Sequence, residues 1–201
     1  MFGFFEETNN DKMKRKLDEY NWETFDEYMH LVVFLSSDEI LKKLNGADLE
    51  SLVNVNMVIR DVGDALKGKY GFDEVYCFNN EISLIYNFEN QKMNEKVMVF
   101  NANKNKILTK IASEASCIFT RMMNEKNNYM FKARCVQFSD EEDVDSWKAW
   151  RDSDCERNVI SYLYKLVIKK DNTNVKKEEM IEELDKYGVL DQHEVKMMLN
   201  K

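Results

Sequence analysis

Two short polar segments of this sequence carry side chains that can bind metal ions or phosphates. Ser36, Ser37 and Asp38 follow an apolar run, and Asn80 and Glu81 stand between two further strand-like runs. Carboxylates at such places can hold divalent cations that activate a hydroxyl and stabilise a leaving phosphate. Here only Asp38 and Glu81 are carboxylates. A serine hydroxyl or a neutral amide binds Mg²⁺ weakly, because it supplies no negative charge.

The elements that must position these segments can be predicted from the spacing of apolar residues. Short runs rich in β-branched and aromatic residues predict strands, and apolar residues recurring every three or four positions predict helices. The predicted strands are residues 31–35, 75–78, 82–88 and 130–138. The predicted helices are residues 10–28, a segment capped by Ser36 or Ser37, residues 49–69 ended by Gly68 and Gly71, residues 104–123, residues 146–170, and two short C-terminal helices at 178–187 and 192–199.

The order of these elements predicts a fold. Asn79 and Asn80 suit a tight turn, so residues 75–88 are expected to form a hairpin. The resulting β-α-β-β-α-β order is that of the ferredoxin-like fold, which is also the core of palm domains. We therefore predict an α+β protein with a ferredoxin-like palm, a helical N-terminal lead-in and a small helical C-terminal tail. The palm, with its N-terminal helix, is assigned to residues 1–170 and the tail to residues 171–201. In such a palm the two polar segments are adjacent in space.

Composition narrows the class of protein. The chain has 201 residues and 44% hydrophobic residues, enough for one packed domain with a small appendage. A net charge of -8 argues against a non-specific nucleic-acid coat, although a local basic groove remains compatible with it. The 4 cysteines form no C-x-x-C pair, which predicts buried free thiols in a reducing compartment and no zinc site.

Targeting and source are predicted from the same composition. There is no signal-peptide pattern and no apolar run of about 20 residues, so we expect a soluble, cytoplasmic protein that does not enter a membrane. The acidic run 140–145 is predicted to be a solvated loop. The absence of proline and the richness in Asn, Lys, Glu and Met are typical of an AT-rich genome, viral or parasitic.

Residues 131–158 resemble two linked motifs of the tRNA-histidine guanylyltransferase family, F-x-x-R-x-V-x-Y and W-R-x-x-D-C-H-x-N-N. The matching residues are Phe131, Arg134, Val136, Phe138, Trp150, Arg151, Asp154, Cys155 and Asn158. Residues 76–86 are similar to the family's hairpin Y-G-Q-S-D-E-Y-S-F-V-F, and residues 104–113 to its S-K-x-x-S-x-x-A-S helix. Residues 31–40 stand where the family has V-V-R-x-D-G-R-x-F. These segments occur in the family's order across residues 28–167.

The resemblance implies catalytic positions at Ser36, Asn80 and Glu81. The family's first metal carboxylate falls on Ser36 and its second on Asn80, so that only the neighbouring Glu81 is acidic. Glu81 is then a metal ligand or a solvent-facing turn carboxylate. Asp38 is a weaker candidate ligand or a first-turn acid of a helix, and Asp73 is a further possible substitute. Losing two carboxylates should cripple a two-metal mechanism.

The resemblance also implies nucleotide- or RNA-binding positions. These are Lys106, Ser83, Arg151, Asp154 and Asn158. Lys106 could hold a triphosphate or be solvated, and Arg151 and Asp154 could orient a nucleotide or form a structural ion pair. Trp147 and Trp150 have helical spacing, which predicts that they pack in the core rather than stack on bases.

The function expected from the resemblance has two forms. Family members add nucleotides to the 5′ end of tRNA with Mg²⁺ and a nucleoside triphosphate, and they often form tetramers. The implied cofactors are therefore Mg²⁺ and GTP or ATP, and the implied partners are tRNA or another RNA and further copies of the chain. The chain is then a working or weakened nucleotidyltransferase, or a non-catalytic descendant that binds nucleotide or RNA. A viral assembly or interaction protein is a third possibility.

Overall fold

A four-stranded antiparallel sheet forms the centre of the computed structural model, which describes residues 24–26, 28–89, 99–170, 172 and 174–199. The strands are β1 (His30–Ser36), β2 (Glu74–Phe78), β3 (Glu81–Tyr86) and β4 (Lys132–Phe138). Their order in the sheet is β2-β3-β1-β4, and every neighbouring pair is antiparallel. This is the strand order of a split β-α-β fold, so the predicted ferredoxin-like palm is confirmed.

Six α-helices and one short 3-10 helix, Val99–Ala102, accompany the sheet in the part of the chain that the structure describes. The α-helices are α1 (Asp38–Leu44), α2 (Leu49–Tyr70), α3 (Lys104–Met123), α4 (Glu141–Ile168), α5 (Lys177–Asp185) and α6 (His193–Met198). Most of their bounds lie within two residues of the predicted helices, because α2 and α3 have a clear apolar stripe and α1, α2 and α3 have polar N-caps. The predicted lead-in helix, residues 10–28, lies almost entirely outside the described residues.

The two faces of the sheet are covered differently. Alternate residues of β1 and β3 pack on one face under α2 and α3, where the largest fully buried side chains include Leu31, Leu35, Ile82, Leu84, Ile59, Ile107 and Ile111. On the opposite face, Val32 and Ile85 pack under Val144 of α4 in a smaller cluster. Phe34 and Ser36 continue this second face toward the end of β1, which leaves a partly covered surface there.

Helix α4 connects the sheet to the C-terminal tail. Its first half lies on the second face of the sheet, and its later residues Cys155, Val159 and Leu163 belong to the main core. Met180 and Leu184 of α5 are buried in that same core. The tail helices therefore share one hydrophobic core with the palm.

Two local predictions about helix boundaries are wrong. Asp140 caps α4 by accepting a hydrogen bond from the Asp143 amide at 3.0 Å, so the acidic run begins a helix rather than forming a loop. Negative side chains are favourable there because the helix N-terminus carries partial positive charge. Gly68 lies inside α2, which ends at Gly71 with a left-handed φ of 73°.

The predicted burial of the cysteines and the predicted lack of a membrane helix can be compared with the structure. All four cysteines are free, and Cys155 is buried as predicted, whereas Cys117 is exposed. Cys117 lies on α3 outside the stripe that packs on the sheet, so its exposure follows from the helical period. Among the described residues, no helix combines the length and the apolar character needed to cross a membrane.

Candidate functional site

The two polar segments meet at one end of the sheet. Ser36 of β1 pairs in register with Glu81 of β3. Just beyond this pair, the Ser37 amide donates to the Asn80 carbonyl at 3.2 Å. The Asn80 side-chain amide donates in turn to the Ser37 carbonyl at 3.0 Å. The positions that the resemblance assigned to metal binding are therefore brought together, and Asn80 uses its amide as a structural donor.

A buried asparagine on α2 holds the hairpin turn. Asn79 has a left-handed φ of 50°, and its amide donates to the side-chain oxygen of Asn56 at 2.8 Å. The Asn56 side-chain nitrogen donates to the Leu52 carbonyl at 2.9 Å. Sequence reasoning missed this residue. The available signal was a polar side chain within the apolar stripe of α2, because such a residue needs a buried partner.

Asp38 lies on the other side of β1 from Glu81. Its carboxylate forms an exposed ion pair with Lys132, the first residue of β4, and this pairing lowers the pKa of Asp38. Lys132 of β4 pairs with Ser36 of β1, so its partner Asp38 lies on the β4 side of β1. Strand β1 therefore separates Asp38 from β3. Ser37 caps the helix that Asp38 begins, accepting from the Ile40 amide at 3.4 Å. The first-turn reading of Asp38 thus matches its position.

The carboxylate of Glu81 is already paired with a cation of the protein. Arg151 of α4 donates to Glu81 Oε2 at 2.7 Å and to Asp154 Oδ2 at 2.8 Å. Arg157 bonds to the second oxygen of Asp154. Arg151 is only 4% exposed, whereas the side chains of Glu81 and Asp154 are 19% and 21% exposed, so a buried guanidinium joins two partly buried carboxylates between helix and hairpin. Of the two readings of Arg151 and Asp154, the structure shows the ion pair.

Aromatic rings surround the guanidinium of Arg151. Its central carbon lies 4.4 Å from the ring centroid of Trp150, 5.2 Å from Phe78 and 5.5 Å from Phe34. Such contacts favour a cation, and the rings exclude water from the ion pair. Burial raises the pKa of Glu81, and the Arg151 charge opposes that rise. The net direction is upward, so burial outweighs the attraction of the partner.

These residues do not fit a divalent metal ion. Ser36 and Asn80 contribute no charge, and the remaining carboxylate, Glu81, faces a guanidinium at 2.7 Å. Within the described ranges, no group of three His, Cys, Asp or Glu side chains is placed to hold a metal. Asp73 cannot substitute, because it binds the Asn87 amide at 2.8 Å and lies beside Ile85, at the opposite end of β3.

The other predicted binding residues lie either near the cluster of Glu81, Arg151 and Asp154 or far from it. Ser83, two residues into β3 from Glu81, is buried and accepts a hydrogen bond from the Trp147 indole at 3.4 Å. Asn158 is half-buried, one helical turn after Asp154 on α4. Trp147 packs against the sheet as predicted, but Trp150 is 55% exposed, so its prediction as a core residue is wrong.

Lys106 lies toward the opposite end of the sheet from Glu81. It is exposed on the first turn of α3, where Asn103 caps the helix. Ser116, further along α3, accepts a hydrogen bond at 2.9 Å from the Phe131 amide, just before β4 begins. The helix between Lys106 and Ser116 spans about 15 Å. The structure therefore does not bring Lys106 to the Glu81 cluster.

Comparison with known proteins identifies the architecture. No family model and no curated protein matches the sequence. A bacterial tRNA(His) guanylyltransferase (Thg1)-like protein in complex with ATP superposes with a TM-score of 0.76 at 20% identity, over 88% of this chain and 78% of that chain. The chain has the fold of the tRNA(His) guanylyltransferases.

Two further guanylyltransferase structures agree. The bacterial Thg1-like protein in complex with GTP gives a TM-score of 0.73 at 22% identity, over 88% of this chain and 76% of that chain. The tRNA(His) guanylyltransferase from Saccharomyces cerevisiae gives 0.60 at 17% identity, over 88% and 83%. The resemblance found in the sequence motifs is thus confirmed by the guanylyltransferase fold, across most of the chain.

Proposed function

We propose that this chain is a divergent guanylyltransferase-like protein that binds nucleotide or RNA 5′ ends and has lost two-metal catalysis. The observation that carries the proposal is the buried ion pair between Glu81 and Arg151. This pair occupies the position at which a palm nucleotidyltransferase needs an uncompensated carboxylate. The neighbouring positions Ser36 and Asn80 supply no replacement charge.

Electrostatics explain why the pair opposes metal binding. Two like unit charges about 4 Å apart repel by about 4 kcal/mol at an effective dielectric constant of 20. A divalent ion beside the Glu81 carboxylate would therefore meet a repulsion on the order of 8 kcal/mol from Arg151. Arg151 cannot easily move away, because α4 and three aromatic rings hold it in a buried position.

Retained binding is supported by the fold and by the remaining polar groups. Structures with this fold have been solved in complex with GTP and with ATP. In this chain, Arg151, Asp154 and Asn158 lie along one side of α4, next to the hairpin. A fold persists more readily than the chemistry of its site, so recognition without catalysis is a physically simple outcome. Assembly into homo-oligomers stays a prediction.

Calorimetric titration of GTP and ATP tests the proposal. Each nucleotide is titrated into wild type, Glu81→Ala and Asp38→Ala, once with Mg²⁺ and once with EDTA. Asp38→Ala is the matched control, because it removes a carboxylate on the other side of β1. A parallel titration uses a single-stranded RNA with a 5′ triphosphate, and a 5′-addition assay on tRNA measures catalysis.

We expect binding of nucleotide or RNA that is the same with Mg²⁺ and with EDTA, and no nucleotide addition. Magnesium-dependent binding that Glu81→Ala abolishes and Asp38→Ala preserves would refute the loss of the metal site. Nucleotide addition by the wild type would do the same. If neither nucleotide nor RNA binds, recognition itself is wrong, and an assembly role becomes the better explanation.

A further inference from the structure

Trp150 is an unusual surface residue. It is 55% exposed, although it lies in the middle of α4 and only three residues from the half-buried Trp147. Indole side chains are normally among the most buried on average, so a large exposed indole at a fixed position indicates a contact surface. Single exposed apolar residues are common, and further observations must therefore support a ligand.

The exposed indole is held in place by the side chains of Trp147 and Arg151. The Trp147 ring meets it edge-on, with ring centroids 5.2 Å apart. The guanidinium of Arg151 lies 4.4 Å from its centroid, and Arg151 is itself fixed by Glu81 and Asp154. The ring is thus oriented before any ligand arrives, which lowers the entropy cost of stacking another ring on its exposed surface.

A second cation lies on the same side of the sheet. Arg134 of β4 pairs in register with Phe34 of β1, and paired residues of neighbouring strands project to the same face. That face carries Trp147, whose ring packs on Phe34 at 6.0 Å. Arg134 is exposed, and no acidic side chain in the described part of the chain forms an ion pair with it. Asp38 attracts Arg134 electrostatically but forms no contact ion pair with it, so the exposed guanidinium can still bind an anion.

The geometry points to a binding site for an unpaired RNA nucleotide, with its base stacked on Trp150 and its phosphate paired with Arg134. This inference rests on the proposed recognition function. Stacking on aromatic rings combined with arginine contacts to the backbone is the usual way in which proteins hold single-stranded nucleic acid. No hydrogen-bonding group is needed to select the base, so weak sequence preference is expected.

The charge of the site favours RNA over a free triphosphate. A nucleoside triphosphate brings several negative charges to one point and needs several cations or a metal to balance them. The exposed surface here offers Arg134, while the nearby Lys132 is already paired with Asp38. One cation matches one phosphate of an RNA strand.

Fluorescence anisotropy with an end-labelled single-stranded RNA of about 10 nucleotides tests the site. The variants are Trp150→Ala, Trp150→Phe and Arg134→Gln. Tyr187→Ala is the control, because Tyr187 is also a largely exposed aromatic residue, 65% exposed, but lies in the tail. Circular dichroism melts show which variants fold. If Trp150→Ala does not fold, the variants Trp150→Phe and Arg134→Gln still test the site.

We expect Trp150→Ala to weaken RNA binding about 10-fold or more, as for other stacking residues, and Trp150→Phe to retain most affinity. Arg134→Gln should weaken binding several-fold and lower the salt slope by about 0.7. Tyr187→Ala should bind like wild type. If wild type binds RNA and the Trp150 and Arg134 variants bind equally well, the site is wrong although the recognition function stands.

Two other outcomes separate the hypotheses. If Trp150→Ala abolishes binding of free GTP but leaves RNA binding unchanged, the site belongs to a free nucleotide, and the RNA assignment is overturned. If wild type binds neither RNA nor nucleotide, the proposed function fails and this inference fails with it. The wild-type titration therefore distinguishes failure of the function from failure of the site.

Discussion

Replacing Arg151 by methionine is expected to lower the free energy of unfolding by about 3 kcal/mol. Arg151 is 4% exposed and donates to two carboxylates, so the change leaves the partly buried carboxylate of Glu81 without its cation. Breaking a buried pair from one side costs about 3–5 kcal/mol. Methionine recovers part of this loss, because its side chain packs well against the surrounding rings. Asp154 keeps its contact with Arg157 and therefore contributes little to the loss of stability.

Urea denaturation of four variants measures this cost. The set is Arg151→Met, Glu81→Gln, the double variant, and Arg157→Met as a control, since Arg157 is 65% exposed and should cost under about 0.5 kcal/mol. For a chain of this length, a loss of about 3 kcal/mol corresponds to a drop in Tm of roughly 6–12 °C. We expect the double variant to be more stable than Arg151→Met alone, because it no longer buries an unpaired charge.

The pH dependence of the stability of Arg151→Met follows from the same reasoning. Burial already raises the pKa of Glu81 above its usual 4.5, and Arg151 limits the rise. Without Arg151 the pKa should rise further. A folded-state pKa above the unfolded value favours the fold at low pH, and this contribution is lost as pH rises through the folded pKa. Arg151→Met should therefore be closer to wild type near pH 5 than near pH 8, and the double variant should show no such trend.

Either of two results would refute this account. One is that Arg151→Met is as stable as Arg157→Met, which would mean that the ion pair is solvated or absent in solution. The other is that the double variant is no more stable than Arg151→Met, which would mean that the loss comes from packing and not from the unpaired Glu81 carboxylate. Both outcomes would also weaken the electrostatic case against a metal ion at Glu81.

Three further tests, at Asn56, at two glycines of α2 and at Ser37, examine how the site is supported. Asn56→Leu should lower stability by about 1–3 kcal/mol, because the buried Asn79 amide loses its acceptor; unchanged urea denaturation would contradict this. Gly63→Ala should cost about 1–3 kcal/mol, since a Cβ there would lie 2.8 Å from a Val75 methyl carbon and collide with the adjacent strand. Gly68→Ala, where a Cβ meets nothing within 4 Å, should instead be neutral or stabilising, and equal effects of the two glycine changes would refute the packing argument. Ser37→Ala should cost about 1 kcal/mol through the lost cap of α1, and an unchanged Tm in thermal melting would contradict this.

The fold was predictable because each element carries its own local signal. Helix α3 has an apolar stripe and polar ends that predict Lys104–Met123, the bounds that the structure shows. The hairpin was predictable from Asn79, which adopts the left-handed conformation that asparagine tolerates. The strand order then follows, because a β-α-β-β-α-β chain with right-handed crossovers has few compact arrangements.

Only the parts of the site that follow from the order of the strands or from the motif resemblance could be predicted. The pairing of Ser36 with Glu81 follows from the topology of the palm. The partner of Glu81 does not, because Arg151 lies 70 residues away in sequence, and its distances depend on how α4 crosses the sheet. Trp150 shares the helical stripe of Trp147, yet it is exposed, whereas the next residue, Arg151, is buried against the sheet. The spacing of apolar residues predicts which side of a helix is buried, but not which residues along that side the rest of the protein covers.

Charge balance connects the sequence changes to the structure. Glu81 and Asp154 supply two negative charges, and Arg151 and Arg157 supply two positive ones, so the cluster is neutral without any bound ion. A palm with carboxylates at positions 36, 80 and 81 would instead carry an excess of negative charge that a divalent cation compensates. Restoring acidic residues at Ser36 and Asn80 would therefore not suffice to recreate a metal site. Arg151 would still hold Glu81, and the cation would still have to displace a buried guanidinium.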